Sequence, residues 1–304
     1  MKEPVNILKE CMNLRDDESC LIITDSKLIG IGRSLLESAS KITKNSKLII
    51  TTIPKAHGAE PPKYVANEML KYDVILIPTT KSLTHTKARE NASRKGARIA
   101  TMPGITNDML KRALNVDYGA IIKSNNHLIS ILKDKKMIRI KTAKGTDISF
   151  NLKGRKWIPD SGVYAKRGAS GNLPAGEVFI APLEGTANGT IIVDASVGGL
   201  GKVDRDIKII VKDGFIAHIK GGRIADKFSK LLKSKLYKNV AELGIGTNCK
   251  AKITGNVLED EKVIGTCHIA FGNNIHFGGK VDVPFHVDVV VKRPSIYGDE
   301  VLLI

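Results

Sequence analysis

A chain of 304 residues with 42% hydrophobic and 26% charged residues has the composition of a soluble globular protein, built as one large domain or two moderate ones. Its formal net charge of +17 invites a nucleic-acid partner, but 36 lysines against 12 arginines are scattered over predicted helix faces and loops. The densest basic runs, KDKK (133–136) and KLLKSK (230–235), read as solvated faces with no interleaved aromatics, and no apolar run approaches a membrane span, so neither nucleic acid nor membrane is expected as a partner.

The N-terminal MKEPVNILKECMNL has no long apolar core, which argues against a signal peptide and for a cytoplasmic protein. Cys11, Cys20, Cys249 and Cys267 fall in no C-x-x-C pair and read as reduced, mostly buried thiols. The first third alternates regularly. SCLIITD (19–25), KLIITTI (47–53), VILIPTT (74–80) and RIATMPG (98–104) read as continuous apolar strands. Helices are expected between them over 30–41, from Pro61 or Pro62 to Lys71, and over 85–95. A further helix starts after a cap at Thr106 or Asn107. Buried strands alternating with helices predict a doubly wound, Rossmann-like α/β domain with a parallel sheet over 1–116. LIGIGRSL (28–35) supplies Gly30 and Gly32, but Leu35 stands where G-x-G-x-x-G needs its third glycine, so no nucleotide site is read there.

After a linking helix (117–132) the texture changes. MIRIKTA (137–143) and DISFNLK (147–153) read as a hairpin. Further strands are expected at 177–183, 189–195, 206–212 and 215–220, the last pair joined by the Asp-Gly turn of KDGF. Helices are expected at 223–235 and 256–264. This second region, 117–304, reads as an α+β domain rich in antiparallel strands.

The polar residues set against apolar strands all lie there. Glu177 opens EVFIAP, and Glu184 follows its end. Glu242 lies at the end of a short apolar strand before a glycine-rich turn, in AELGIGTN. His268 sits among small and apolar residues in GTCHIAFGNN. His286 and Asp288 stand in VPFHVDVVV, two residues apart and therefore on one face of a strand. A carboxylate buried on such a face needs a partner or a metal. Singly, each of these residues fits a hydrogen-bonded or strand-end role. Together, two imidazoles and three carboxylates form a complete ligand set for zinc, cobalt, manganese or iron.

Four strings, LPAGEVFIAPLEGTANGTI, AELGIGTN, EKVIGTCHIAFGNN and HVD, resemble in order and spacing the thermophilic metallo-aminopeptidase family of the aminopeptidase T and aminopeptidase S type. The resemblance covers most of 157–290. It implies a two-metal site (Zn, Co or Mn) held by Glu177, Glu242, His268, His286 and Asp288. It also implies a hydrolase that removes N-terminal residues from small peptides through a metal-activated water. Glu184 is then the candidate general base, and a homodimer would close the pocket. The family places a tyrosine in an H-x-A-x-G-x-x-Y pattern; here that position is Ile275, followed by His276. A branch on the same scaffold, the dihydroxypyridine ring-cleaving dioxygenases, uses one Fe(II) held by two His and one Asp, here His268, His286 and Asp288. The expected activity is the metalloprotease one, with the dioxygenase as its alternative.

Overall fold

The computed structural model describes residues 4–304. The described chain forms two compact units: residues 4–118 with 162–175, and residues 119–161 with 176–304.

The first unit is a five-stranded parallel sheet. Strand Cys20–Asp25 pairs on one side with Ser46–Thr51 and on the other with Val74–Ile77; Arg98–Thr101 and then Ser170–Asn172 complete the sheet. CLIITD, VILI and RIAT are buried along their whole lengths, as strands covered on both faces must be. Helices Ile29–Ser40, Lys63–Met69 and Lys87–Lys95 alternate with them. Thr86 and Thr106 cap helices by accepting from the backbone N–H groups of Arg89 and Met109. Gly30 and Gly32 lie inside the first of these helices rather than in a turn. A Cβ on Gly32 would come within 2.7 Å of the Thr24 side chain, so that glycine lets the helix lie close on its strand. The strand Ser170–Asn172 has no hydrophobic pattern to announce it, yet it adds to this sheet from within the stretch that reads as part of the second region.

The second unit stacks two antiparallel seven-stranded sheets. One contains the hairpin Met137–Lys141 and Asp147–Asn151, followed by Asn188–Val193, Ile207–Lys212 and Phe215–Lys220. The other has a centre of four neighbouring strands in the order His286–Lys292, Thr266–Gly272, Val240–Gly246 and Glu177–Ile180. Ile138, Ile140, Phe150, Ile191 and Ile209 of the first sheet share one core with Val178, Leu243, Ile245, Ile269, Phe271, Val289 and Val291 of the second. Each fully buried side chain of that kind contributes roughly 1.5–3 kcal/mol. The core therefore takes every second residue of the four central strands and fixes which residues remain for the opposite face. The expected helix over 256–264 is a single turn, Val257–Asp260, and that over 223–235 is Arg223–Leu231. Cys11, Cys20 and Cys267 are buried free thiols and Cys249 is exposed. No helix among the described residues is long and apolar enough to cross a membrane.

Candidate metal centre

The face of the central sheet turned away from the core carries the chemistry. Glu242 pairs with Ala270, and Ala270 with Asp288, so these three form one row across neighbouring strands. The next row holds Gly244 opposite His268, and Glu177 lies opposite Gly246 on the outer strand. His286 opens its strand opposite Gly272. The strand of Glu242 does not end there but runs through Gly246, its glycines extended within the sheet. A Cβ on Gly244 would lie 2.1 Å from Cε1 and Nε2 of His268. Only a glycine there leaves space for the imidazole to lie across the adjacent strand.

The sheet brings all five candidate ligands together. The Glu242 carboxylate bridges both imidazoles: Oε1 lies 3.3 Å from His268 Nε2, and Oε2 lies 3.5 Å from His286 Nε2. His286 Nε2 is also 3.5 Å from Asp288 Oδ1, and Glu177 Oε2 is 3.3 Å from His268 Nε2. Donor atoms bound side by side at about 2.1 Å to one ion stand about 3 Å apart, close to these separations. Three overlapping groups have their donor atoms within 4.8 Å of one another: Glu177, Glu242 and His268; Glu242, His286 and Asp288; and Glu261, His268 and Asp288. Two buried polar atoms of the cluster, Glu177 Oε2 and His268 Nδ1, have no hydrogen-bond partner. His286 Nδ1 donates to the Asn273 carbonyl at 2.9 Å, which fixes the tautomer and leaves Nε2 to ligate. By donor chemistry, spacing and unsatisfied polar atoms, these residues fit a divalent metal.

Charge coupling is strong here. Burial by itself pushes each imidazolium toward its neutral form. For His268, the Glu242 contact and the charges of Glu177 and Glu261 outweigh burial and raise its pKa to about 9. His286 is lifted to about 10 against the same burial penalty by Asp288, then Glu242, then the Asn273 carbonyl. Burial would raise Asp288, but His286, His268 and Lys262 hold it below the ordinary carboxylate range.

Two residues had no place in the sequence reading of the site. Lys262 is buried, 3% exposed, with Nζ 2.6 Å from Glu177 Oε1 and 2.7 Å from Glu261 Oε1. Burial pushes Glu261 up to about 8, with Lys262 opposing and Asp288 and Glu177 reinforcing the rise. Both belong to the EK of EKVIGTCHIAFGNN. In a chain this rich in lysine, the one signal in the sequence is their position a few residues before the buried strand Thr266–Gly272.

Glu184 stands outside the three groups. It pairs with Arg155, accepts from the Asn274 amide at 3.0 Å and from the Lys280 backbone at 2.8 Å. Burial would raise its pKa, but these hydrogen bonds and the Arg155 charge outweigh it and lower it. A carboxylate so engaged is a poor proton acceptor. Its work is to tie down the segment between the His268 and His286 strands. In that segment Ile275, at the tyrosine position, is 40% exposed, while the Phe277 ring meets His286 edge-on at 6.0 Å and Phe179 at 5.7 Å.

A parallel α/β unit is followed by two antiparallel sheets, one of which carries a buried imidazole–carboxylate cluster that could hold a metal ion. The family model described as NicX: 2,5-dihydroxypyridine 5,6-dioxygenase matches residues 39–304, and the chain belongs to that family. A 2,5-dihydroxypyridine 5,6-dioxygenase of Pseudomonas putida is 24% identical over 246 residues, 74% of this chain and 68% of its own. The solved 2,5-dihydroxypyridine dioxygenase of Pseudomonas putida has this fold with a TM-score of 0.84 at 18% identity, covering 99% of this chain and 94% of that one. Wild-type AmpT from Thermus thermophilus shares the fold with a TM-score of 0.73 at 16% identity, over 97% and 94% of the two chains.

Family membership overturns the expected aminopeptidase, and with it the hydrolase and metalloprotease activity. The site agrees with this correction. One oxygen of Glu177, needed for a second metal, is held by the Lys262 ammonium, and the phenol of the peptidase pattern is replaced by a half-exposed Ile275. A pair of zinc, cobalt or manganese ions therefore has no support here.

Proposed function

We propose that this protein is a mononuclear Fe(II) ring-cleaving dioxygenase acting on a dihydroxylated pyridine, with 2,5-dihydroxypyridine as the first substrate to test. His268, His286 and Asp288 would hold the iron, the two-histidine, one-carboxylate set that suits Fe(II). The observation that carries the reading is that these three residues share one sheet face and each histidine places a donor atom within 4.8 Å of an Asp288 oxygen, in a chain matched by the dioxygenase family over 39–304. When bound, such an iron would supply the redox chemistry by which dioxygen reacts with the ring.

The remaining steps belong to the protein. Asn273 orients His286 through its carbonyl, and Gly244 gives His268 its place. Glu242 reaches both imidazoles, the position from which a carboxylate can take the proton of a substrate hydroxyl. Phe277, packed edge-on against Phe179, sets an aromatic edge beside His286, which suits a flat heteroaromatic ring.

The test is anaerobic reconstitution with Fe(II), followed by oxygen-electrode measurement with 2,5-dihydroxypyridine. Oxygen uptake in step with substrate loss, at one iron per chain, is expected. Iron-loaded protein that consumes no oxygen with this or related dihydroxypyridines would sink the proposal.

A further inference from the structure

Lys262 is a buried residue of this site that neither iron binding nor substrate chemistry uses. Its ammonium lies 2.6 Å from Glu177 Oε1 and 2.7 Å from Glu261 Oε1, with 3% of the side chain exposed. Both carboxylates flank His268: Glu177 groups with Glu242 and His268, and Glu261 groups with His268 and Asp288. The ammonium therefore occupies the space between two donor sets, each of which is complete enough for a divalent ion. Metal–oxygen bonds are about 2.0–2.2 Å long, so a dication at that point would need the two oxygens to close in by only about half an ångström.

We infer that Lys262 is a built-in cation that occupies the second metal position, and that it makes this five-ligand constellation bind one metal ion instead of two. The inference rests on the reading of the cluster as a metal centre. An ammonium has three donors and no lone pair, so it satisfies carboxylates without becoming a ligand itself. It also repels a second dication across a few ångströms of low-dielectric interior. Because it is covalently tethered and buried, a solution cation must compete with a charge held at high effective concentration. Lys262 is in this sense a specificity-determining residue: it selects a mononuclear centre from side chains that would otherwise suffice for a dinuclear one. The opposing possibility is that Lys262 only neutralises the buried Glu177 and Glu261. That role predicts lost stability on substitution and no gain of metal.

The two accounts separate by stoichiometry. Chelated full-length protein is dialysed to equilibrium against Mn(II), metal per chain is counted, and electron paramagnetic resonance distinguishes isolated from exchange-coupled ions. Wild type is expected to saturate at one equivalent with an uncoupled signal. Lys262→Met is expected to rise to two equivalents with a coupled signal, and excess Mn(II) should restore the melting temperature that the variant loses when chelated. Lys262→Arg, which keeps the cation, should return to one equivalent. Should the methionine variant not fold, Lys262→Gln, which keeps amide donors toward the carboxylates, is read in the same way. A wild-type protein that takes two equivalents overturns the inference, as does a folded Lys262→Met that stays at one. A wild type that binds no stoichiometric metal fails differently, because it removes the metal centre itself.

Discussion

The two units treat buried charge in opposite ways. In the first, Asp25 is fully buried, and its carboxylate accepts from the Lys27 backbone, the Thr80 backbone and the Thr80 hydroxyl. Arg98 and Glu18 form a second buried pair, and Arg98 also donates to the Asn13 carbonyl. Among the described residues of that unit, the unsatisfied buried side-chain atoms are the hydroxyls of Thr51 and Ser93. In the second unit, four carboxylates, two imidazoles and a lysine crowd one sheet face. There a carboxylate oxygen and a ring nitrogen go without hydrogen bonds, and the imidazole–carboxylate contacts stay at 3.3–3.5 Å. Buried ionic groups that a protein satisfies itself are architecture. Groups held close and left short of partners are prepared for something the chain does not contain.

That contrast can be broken by substitution. The largest effect is expected at the imidazoles: His268→Ala or His286→Ala should weaken Fe(II) binding by more than about 100-fold, the upper range for losing merely an outer partner of a metal ligand. Iron retained after desalting, measured by metal analysis, checks this; retention equal to wild type would remove the residue from the ligand set. A smaller effect should follow Gly244→Ala. Its methyl must displace the His268 ring, at a packing cost of about 1–3 kcal/mol together with loss of iron. Asp25→Asn should cost a similar 1–3 kcal/mol, roughly, through its lost charge-assisted hydrogen bonds, yet leave iron per chain and oxygen uptake unchanged. If Asp25→Asn also empties the site, the division between architecture and chemistry fails.

The smallest effect is a pH dependence of the chelated protein. His286 has a folded pKa raised to about 10 from an ordinary 6.5. Its contribution to stability is therefore fully present below about 6.5 and lost as pH climbs through 10. Trp157, the lone tryptophan, sits in the core of the same unit and reports its unfolding by fluorescence. Melting temperatures followed in this way should fall on the alkaline side, and His286→Ala should flatten the fall.

Much of this was legible in the residues. Continuous apolar runs with capped helices between them are enough to announce a parallel sheet. The period of two alone puts His286 and Asp288 on one face. Three things were not legible. The strand Ser170–Asn172 carries no hydrophobic signal, and its place is set by pairing with Arg98–Thr101. The neighbour order that puts Glu242, Ala270 and Asp288 in one row is a tertiary fact, because local sequence does not encode which strands adjoin. Lys262 looks like any of 36 lysines until its two carboxylate partners, one of them 85 positions away, are brought to it. The choice between peptidase and dioxygenase turned on family membership, since proteins of both names share the fold.

The row of Glu242, Ala270 and Asp288 has a consequence for how such a site can change over time. Point substitutions remove ligands one at a time and leave the rest in place. An inserted or deleted residue within Thr266–Gly272 acts on the whole set, because a one-residue slip turns His268 into the core and brings Cys267 and Ile269 out to face Glu242 and Asp288. Variation in this part of the chain should therefore be confined to replacement, with changes of length pushed into the loop that follows Gly272.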